Sequence, residues 1–133
     1  MQHDKKYIEA LKLSTQVWIW LYKNPGKRKE DSPYWDELIE MPGNCPMCDY
    51  CFQKAFIEDC SNCILFIKKL CAYRTKDFLL YYKWKRASIN FRKYETTEKE
   101  SKDKCKLAAA RIASVLRREY ERVTGDKKSF RNN

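Results

Sequence analysis

Residues 97–125 read TEKESKDKCKLAAARIASVLRREYERVTG, and both ends of a long helix are written into them. Thr97 followed three residues later by Glu100 is a capping box, which satisfies two N-terminal amide groups reciprocally. Gly125 stands where a left-handed residue closes a helix. Between these signals Cys105, Ala108, Ala109, Ile112, Val115, Leu116, Tyr120 and Val123 recur at steps of three and four, which gathers them into one inward stripe. Glu98 with Lys102 and Glu100 with Lys104 are favourably ordered i,i+4 pairs on the outside.

A second strong helical pattern runs from Lys5 to Lys23, where Tyr7, Ile8, Leu11, Trp18, Leu21 and Tyr22 share a face with one gap. Val17, Ile19 and Trp20 widen that face, and Asn24-Pro25-Gly26 ends it. Residues 24–44 contain Pro25, Gly26, Pro33, Pro42 and Gly43 and read as an irregular connection with at most one helical turn around Tyr34 to Ile39. Beyond residue 63, Ile64, Ile67 and Leu70 or Cys71 fall on one helical face, although an apolar run of that length also suits a strand. Thr75 is a candidate cap for a helix that buries Leu80, Tyr81, Trp84, Ala87, Phe91 and Tyr94.

The middle of the chain carries Cys45-Pro-Met-Cys48-Asp-Tyr-Cys51 and Cys60-Ser-Asn-Cys63, five of the seven cysteines within nineteen residues. A C-x2-C turn aims two sulfurs into one concavity, and two such turns complete the tetrahedron zinc requires. Cys45, Cys48, Cys60 and Cys63 are therefore the expected ligands of a structural zinc, with Pro46 stiffening the first turn so that backbone N–H groups face the sulfurs. Cys51 or Cys71 would replace one of the four if the loop folds differently. Cys45-x2-Cys48-x2-Cys51 also matches the start of an iron–sulfur motif, though without the Cys-Pro that usually follows. Buried thiols without metal are the third reading, and the one expected for Cys105. The fold expectation is a mostly α protein: a single domain of about four helices over residues 1–125, with a treble-clef-like or irregular zinc knuckle in the middle. A frayed basic tail is expected at 126–133.

The net charge of +10 is unevenly placed. Residues 1–44 carry seven basic and seven acidic side chains, residues 45–71 three of each, and residues 72–133 eighteen basic against eight acidic. Such asymmetry points to a polyanionic partner or to a solvated basic face. Lys85, Arg86, Arg92, Lys93, Arg111, Arg117 and Arg118 are the candidate nucleic-acid contacts, with Tyr73, Tyr81, Tyr82 and Trp84 available to stack on unpaired bases of DNA or RNA. Catalysis is not expected: His3 is the sole histidine, three glycines make no phosphate loop, and a closed four-cysteine site leaves zinc no open position. No small-molecule substrate is expected. No apolar run approaches a membrane span, and free thiols suit a reducing cytoplasm.

Trp18-Ile-Trp20-Leu21, Asn24-Pro25-Gly26-Lys27, Asp31-Ser-Pro33-Tyr-Trp35, Asn44-Cys45-Pro46-Met-Cys48-Asp49-Tyr50, Cys60-x2-Cys63 and Tyr81-Tyr82-Lys-Trp84 occur in that order. The pattern, spanning most of residues 7–116, resembles a loose set of small bacteriophage and prophage proteins of uncharacterised activity. The chain departs from it in the extra Cys51 and in Ile64, where proline is common in that set. The resemblance implies phage origin, location in a host cytoplasm and a bound metal, but no mechanism. It also supplies the alternative function, a phage protein that inhibits or redirects a host protein of defence, transcription or replication. In that case Trp18, Trp20, Tyr22 and Trp35 would be exposed anchors, and the basic face would steer toward an acidic host surface.

Overall fold

Helix α1 runs Lys5–Lys23, the bounds its periodicity predicts, in a computed structural model that describes residues 5–41, 44–55, 84–87 and 99–130. Its inward face is Ala10, Leu11, Ser14, Thr15, Val17, Trp18 and Leu21. The gap in the apolar pattern is thus filled by two small hydroxyl residues that are buried all the same. Thr15 satisfies its hydroxyl by donating to the Leu11 carbonyl one turn back, at 2.7 Å. The helix ends where Asn24 turns both its backbone and side-chain amides onto the Trp20 carbonyl, at 3.0 and 2.9 Å. Gly26 then takes φ 87°, a left-handed conformation that costs a residue without Cβ little.

The connection that follows holds a 3-10 turn at Lys29–Asp31 and a single helical turn, α2, at Trp35–Leu38, which carries Leu38 fully into the core. Helix α3 spans Pro46–Ala55, residues 84–87 form a further helical turn, and α4 spans Lys99–Thr124. The described residues are mostly helical and contain no strand. Thr97, the run after Cys63 and all of the expected 75–94 helix except 84–87 lie outside the described residues. Within 84–87, Trp84 and Ala87 are buried and Lys85 and Arg86 exposed, the sides that the periodicity assigns them.

Helices α1 and α4 are antiparallel partners. Tyr7 near the start of α1 donates to Glu119 Oε2 near the end of α4 at 2.6 Å, while Lys106 Nζ lies 5.2 Å from the ring centroid of Tyr22 at the opposite pole. Leu11, Val17, Trp18 and Leu21 join Cys105, Ala108, Ala109, Ile112, Ala113, Leu116 and Tyr120 in one core. Each large apolar side chain buried there contributes about 1.5–3 kcal/mol. Trp84 meets Trp18 edge to face at 4.9 Å between centroids, and Tyr50 of α3 tilts onto Tyr7 at 5.2 Å, so the segment bearing the first cysteines is held against α1.

Gly125 closes α4 as its sequence announces, with φ 74° and its N–H donating to the Glu121 carbonyl at 2.9 Å. Of the tail expected to be frayed at 126–133, residues 126–130 form a turn, and 131–133 lie outside the described residues. The Asp126 carboxylate accepts the N–H groups of Lys128 and Ser129 at 2.9 and 3.1 Å, the Ser129 hydroxyl, and the Tyr120 hydroxyl at 3.1 Å. These bonds, that from Ser129 Oγ foremost, hold the Asp126 carboxyl below the ordinary carboxylate range. Phe130 returns to the core and packs edge-on against Tyr120 at 5.3 Å. A polar, basic composition conceals an Asx-type turn with an aromatic anchor behind it.

Candidate metal centre and basic helix face

The start of α3 is built around sulfur. Asn44 adopts φ 49°, a left-handed conformation that asparagine tolerates better than most residues, and redirects the chain into Cys45. Pro46 takes the first helical position, where its fixed φ suits the helix and its missing N–H leaves nothing unsatisfied. The Cys45 carbonyl accepts the Asp49 N–H at 2.9 Å, and Cys45 Sγ accepts the Cys48 N–H at 3.4 Å. Cys45 is therefore an N-cap with sulfur in the place usually held by oxygen. The sequence pattern predicts this N–H-to-sulfur geometry in a knuckle loop, whereas here it forms the first turn of a helix.

Cys48 also hydrogen-bonds the Cys45 sulfur through its own thiol. That bond is the largest influence on Cys45. With the Lys29 ammonium and the N–H groups of Cys48 and Met47 it outweighs burial and draws the Cys45 thiol down to about 6. Two sulfurs so placed are soft, pre-oriented donors that fit one half of a tetrahedral zinc site. Cys60, Cys63 and Cys71 lie outside the described residues, among which no three ligand-type side chains converge. Cys105 is wholly buried in the α1–α4 core, as its stripe predicts.

Lys29 is the residue that sequence reasoning missed. In the run Lys27-Arg28-Lys29 it looks like ordinary surface charge. The 3-10 turn instead sends Arg28 outward to Glu30 and Asp31, at 3.6 and 3.7 Å, and turns Lys29 inward until it is only 9% exposed. Its ammonium donates to the Asn44 carbonyl at 3.3 Å and lies 5.5 Å from the centroid of a Trp18 ring. No spacing rule separates it from its basic neighbours, because its burial depends on how the connection folds over α1.

The outward face of α4 carries the second candidate feature. At 100° per residue Lys104, Arg111 and Arg118 fall within an arc of about 40° and span about 21 Å of helix. All three are exposed, and neither Arg111 nor Arg118 has a hydrogen-bond or ionic partner among the described residues. Arg117, expected beside them, is half-buried and engages Glu121 at 3.1 Å, while Arg122 grips Glu119 at 2.6 and 2.9 Å. Lys85 and Arg86 are exposed; Arg92 and Lys93 lie outside the described residues, as do Tyr73, Tyr81 and Tyr82. Trp84, expected to stack on bases, is instead core at 6% exposure, because Trp18 claims its ring. Trp18 is core for the same reason rather than an exposed anchor, and Trp20, Tyr22 and Trp35 are half-buried. Tyr22 borders a recess of about 120 Å³ shared with Ile19, Ala110, Ala113, Ser114 and Arg117.

No family model, no curated protein and no solved structure matches this chain. Among the described residues no helix is long and apolar enough to cross a membrane.

Proposed function

We propose that this chain is a non-enzymatic, zinc-stabilised protein that binds nucleic acid through the outward face of α4. The observation that carries the reading is the pair Arg111 and Arg118, exposed two turns apart on one stripe and without acidic partners among the described residues. On a chain whose +10 net charge lies in its second half, such a stripe suits the phosphates of DNA or RNA. Lys104, Lys85 and Arg86 extend the positive surface, and Arg117 becomes available only by releasing Glu121. Tyr22, beside the recess on the flank of α4, replaces Trp84 as the ring that stacks on an unpaired base. Zinc is held by Cys45 and Cys48 with Cys60 and Cys63, and serves to fix the central segment rather than to do chemistry.

The test is fluorescence anisotropy of zinc-loaded protein with labelled duplex DNA, single-stranded DNA and RNA across a range of salt. Removing one phosphate-binding side chain shallows the log–log salt slope by about 0.9, so the double variant Arg111→Ala/Arg118→Ala should reduce it by nearly 2. An unchanged slope would remove α4 from the interface and direct the search to an acidic host protein, the alternative partner. For the metal, Cys48→Ser should lose the bound zinc and lower the melting temperature; a variant that keeps its metal would sink the ligand assignment.

A further inference from the structure

We propose that the recess on the flank of α4 is a pocket for one unpaired pyrimidine base, so that the partner is a single strand rather than a duplex; this rests on the nucleic-acid reading above. Ile19 and Tyr22 line the recess from α1, and Ala110, Ala113, Ser114 and Arg117 line it from α4. The hollow has a cause in the sequence, because Ala110, Ala113 and Ser114 are short side chains on adjacent turns and leave space beside the Tyr22 ring. Its volume is about 120 Å³. A cavity of about 150 Å³ takes up one benzene ring, so a six-membered pyrimidine is close to the limit here and a fused two-ring purine exceeds it.

The lining supplies the chemistry a base needs. Tyr22 offers a ring for stacking, with Lys106 Nζ 5.2 Å from its centroid to keep positive charge beside it. Arg117, fixed by its Nε bond to Glu121 at 3.1 Å, adds a planar guanidinium, a group that stacks on aromatic faces. Ser114 has no hydrogen-bond partner among the described residues, and its hydroxyl can both donate and accept at the edge of a base. Position ties the recess to the phosphates. Ser114 lies one turn from Arg111 and one turn from Arg118, about 60° and about 40° around the helix from them, and side chains so spaced are neighbours. Both arginines are exposed and without partners among the described residues. A strand whose phosphates follow that stripe therefore carries a base to the mouth of the recess, whereas a duplex base reaches it only by being unpaired and unstacked.

The experiment is fluorescence anisotropy of the full chain with labelled strands of abasic nucleotides that carry a single thymine or a single adenine, and with a labelled duplex. Abasic flanks remove the stacking of bases on one another, which by itself favours pyrimidine runs. Wild type should bind the thymine strand about 10-fold more tightly than the adenine strand. Tyr22→Leu removes the stacking ring and Ala110→Leu fills the recess, so each should bring the two strands within roughly 2-fold of one another while duplex binding stays as in wild type. Circular dichroism reports whether each variant folds, and where one does not the other decides. Equal affinity of wild type for thymine and adenine strands overturns the base pocket; the nucleic-acid reading survives that result if Arg111→Ala/Arg118→Ala weakens both strands. A thymine preference that persists in the folded variants overturns its placement in this recess, as does an equal loss of duplex binding. A wild-type chain that binds neither strand nor duplex overturns the nucleic-acid reading and this inference together.

Discussion

Ser14 is buried on α1 with a hydroxyl that meets no hydrogen-bond partner among the described residues. Leaving such a group unsatisfied costs about 1–3 kcal/mol. Ser14→Ala should therefore raise stability by about 1 kcal/mol, read as a higher urea midpoint at constant slope; a lower midpoint would mean that the hydroxyl is bonded after all. Cys45 gives the pH counterpart. Its folded pKa of about 6 lies below the ordinary thiol value, so its ionisation stabilises the folded state fully above that ordinary value, and the stabilisation is lost as pH falls toward 6. In chelator, the stability difference between wild type and Cys45→Ala should shrink steadily as pH falls from about 9 to about 6. A difference that is flat with pH would show that the thiol is not perturbed. The sulfur pairing was legible in the sequence because C-x2-C spacing is local. Lys29 was not, because no local pattern says which lysine of a basic run will be covered.

At the scale of elements, both packed helices bury small residues: Ala10 and Ser14 on α1, and Cys105, Ala108, Ala109 and Ala113 on α4. Close-packed cores resist added volume, so Ala109→Leu should cost about 1–3 kcal/mol and lower the melting temperature, whereas the same change at exposed Lys102 should be nearly neutral. The boundaries of α1 were readable because periodicity and an Asn-Pro-Gly stop agree, and the end of α4 because Gly125 can adopt φ 74°. Helix α3 was not legible as a helix. Its residues carry a metal motif that suggests a loop, and Pro46 after Cys45 is equally a helix start. The turn at Asp126 was hidden for a related reason: one carboxylate collecting several donors leaves no periodic trace.

Across the whole molecule, the main core joins the earliest and latest described helices, with Tyr7 bonded to Glu119 and Trp18 sharing a cluster with Leu116. The two helices share one core cluster, and most helical stability in proteins comes from packing of this kind. Native-state hydrogen exchange should therefore report the same opening free energy for the best-protected amides of α1 and α4; a clearly lower value in one would show that it detaches alone. The antiparallel arrangement also bears on synthesis. When Lys23 has been made, about 100 residues remain before Thr124 completes the partner surface, a wait of about 5–20 s at ordinary translation rates. Through that interval Leu11, Val17, Trp18 and Leu21 have no α4 to cover them, which makes the nascent chain a natural client for ribosome-associated chaperones until its last helix emerges.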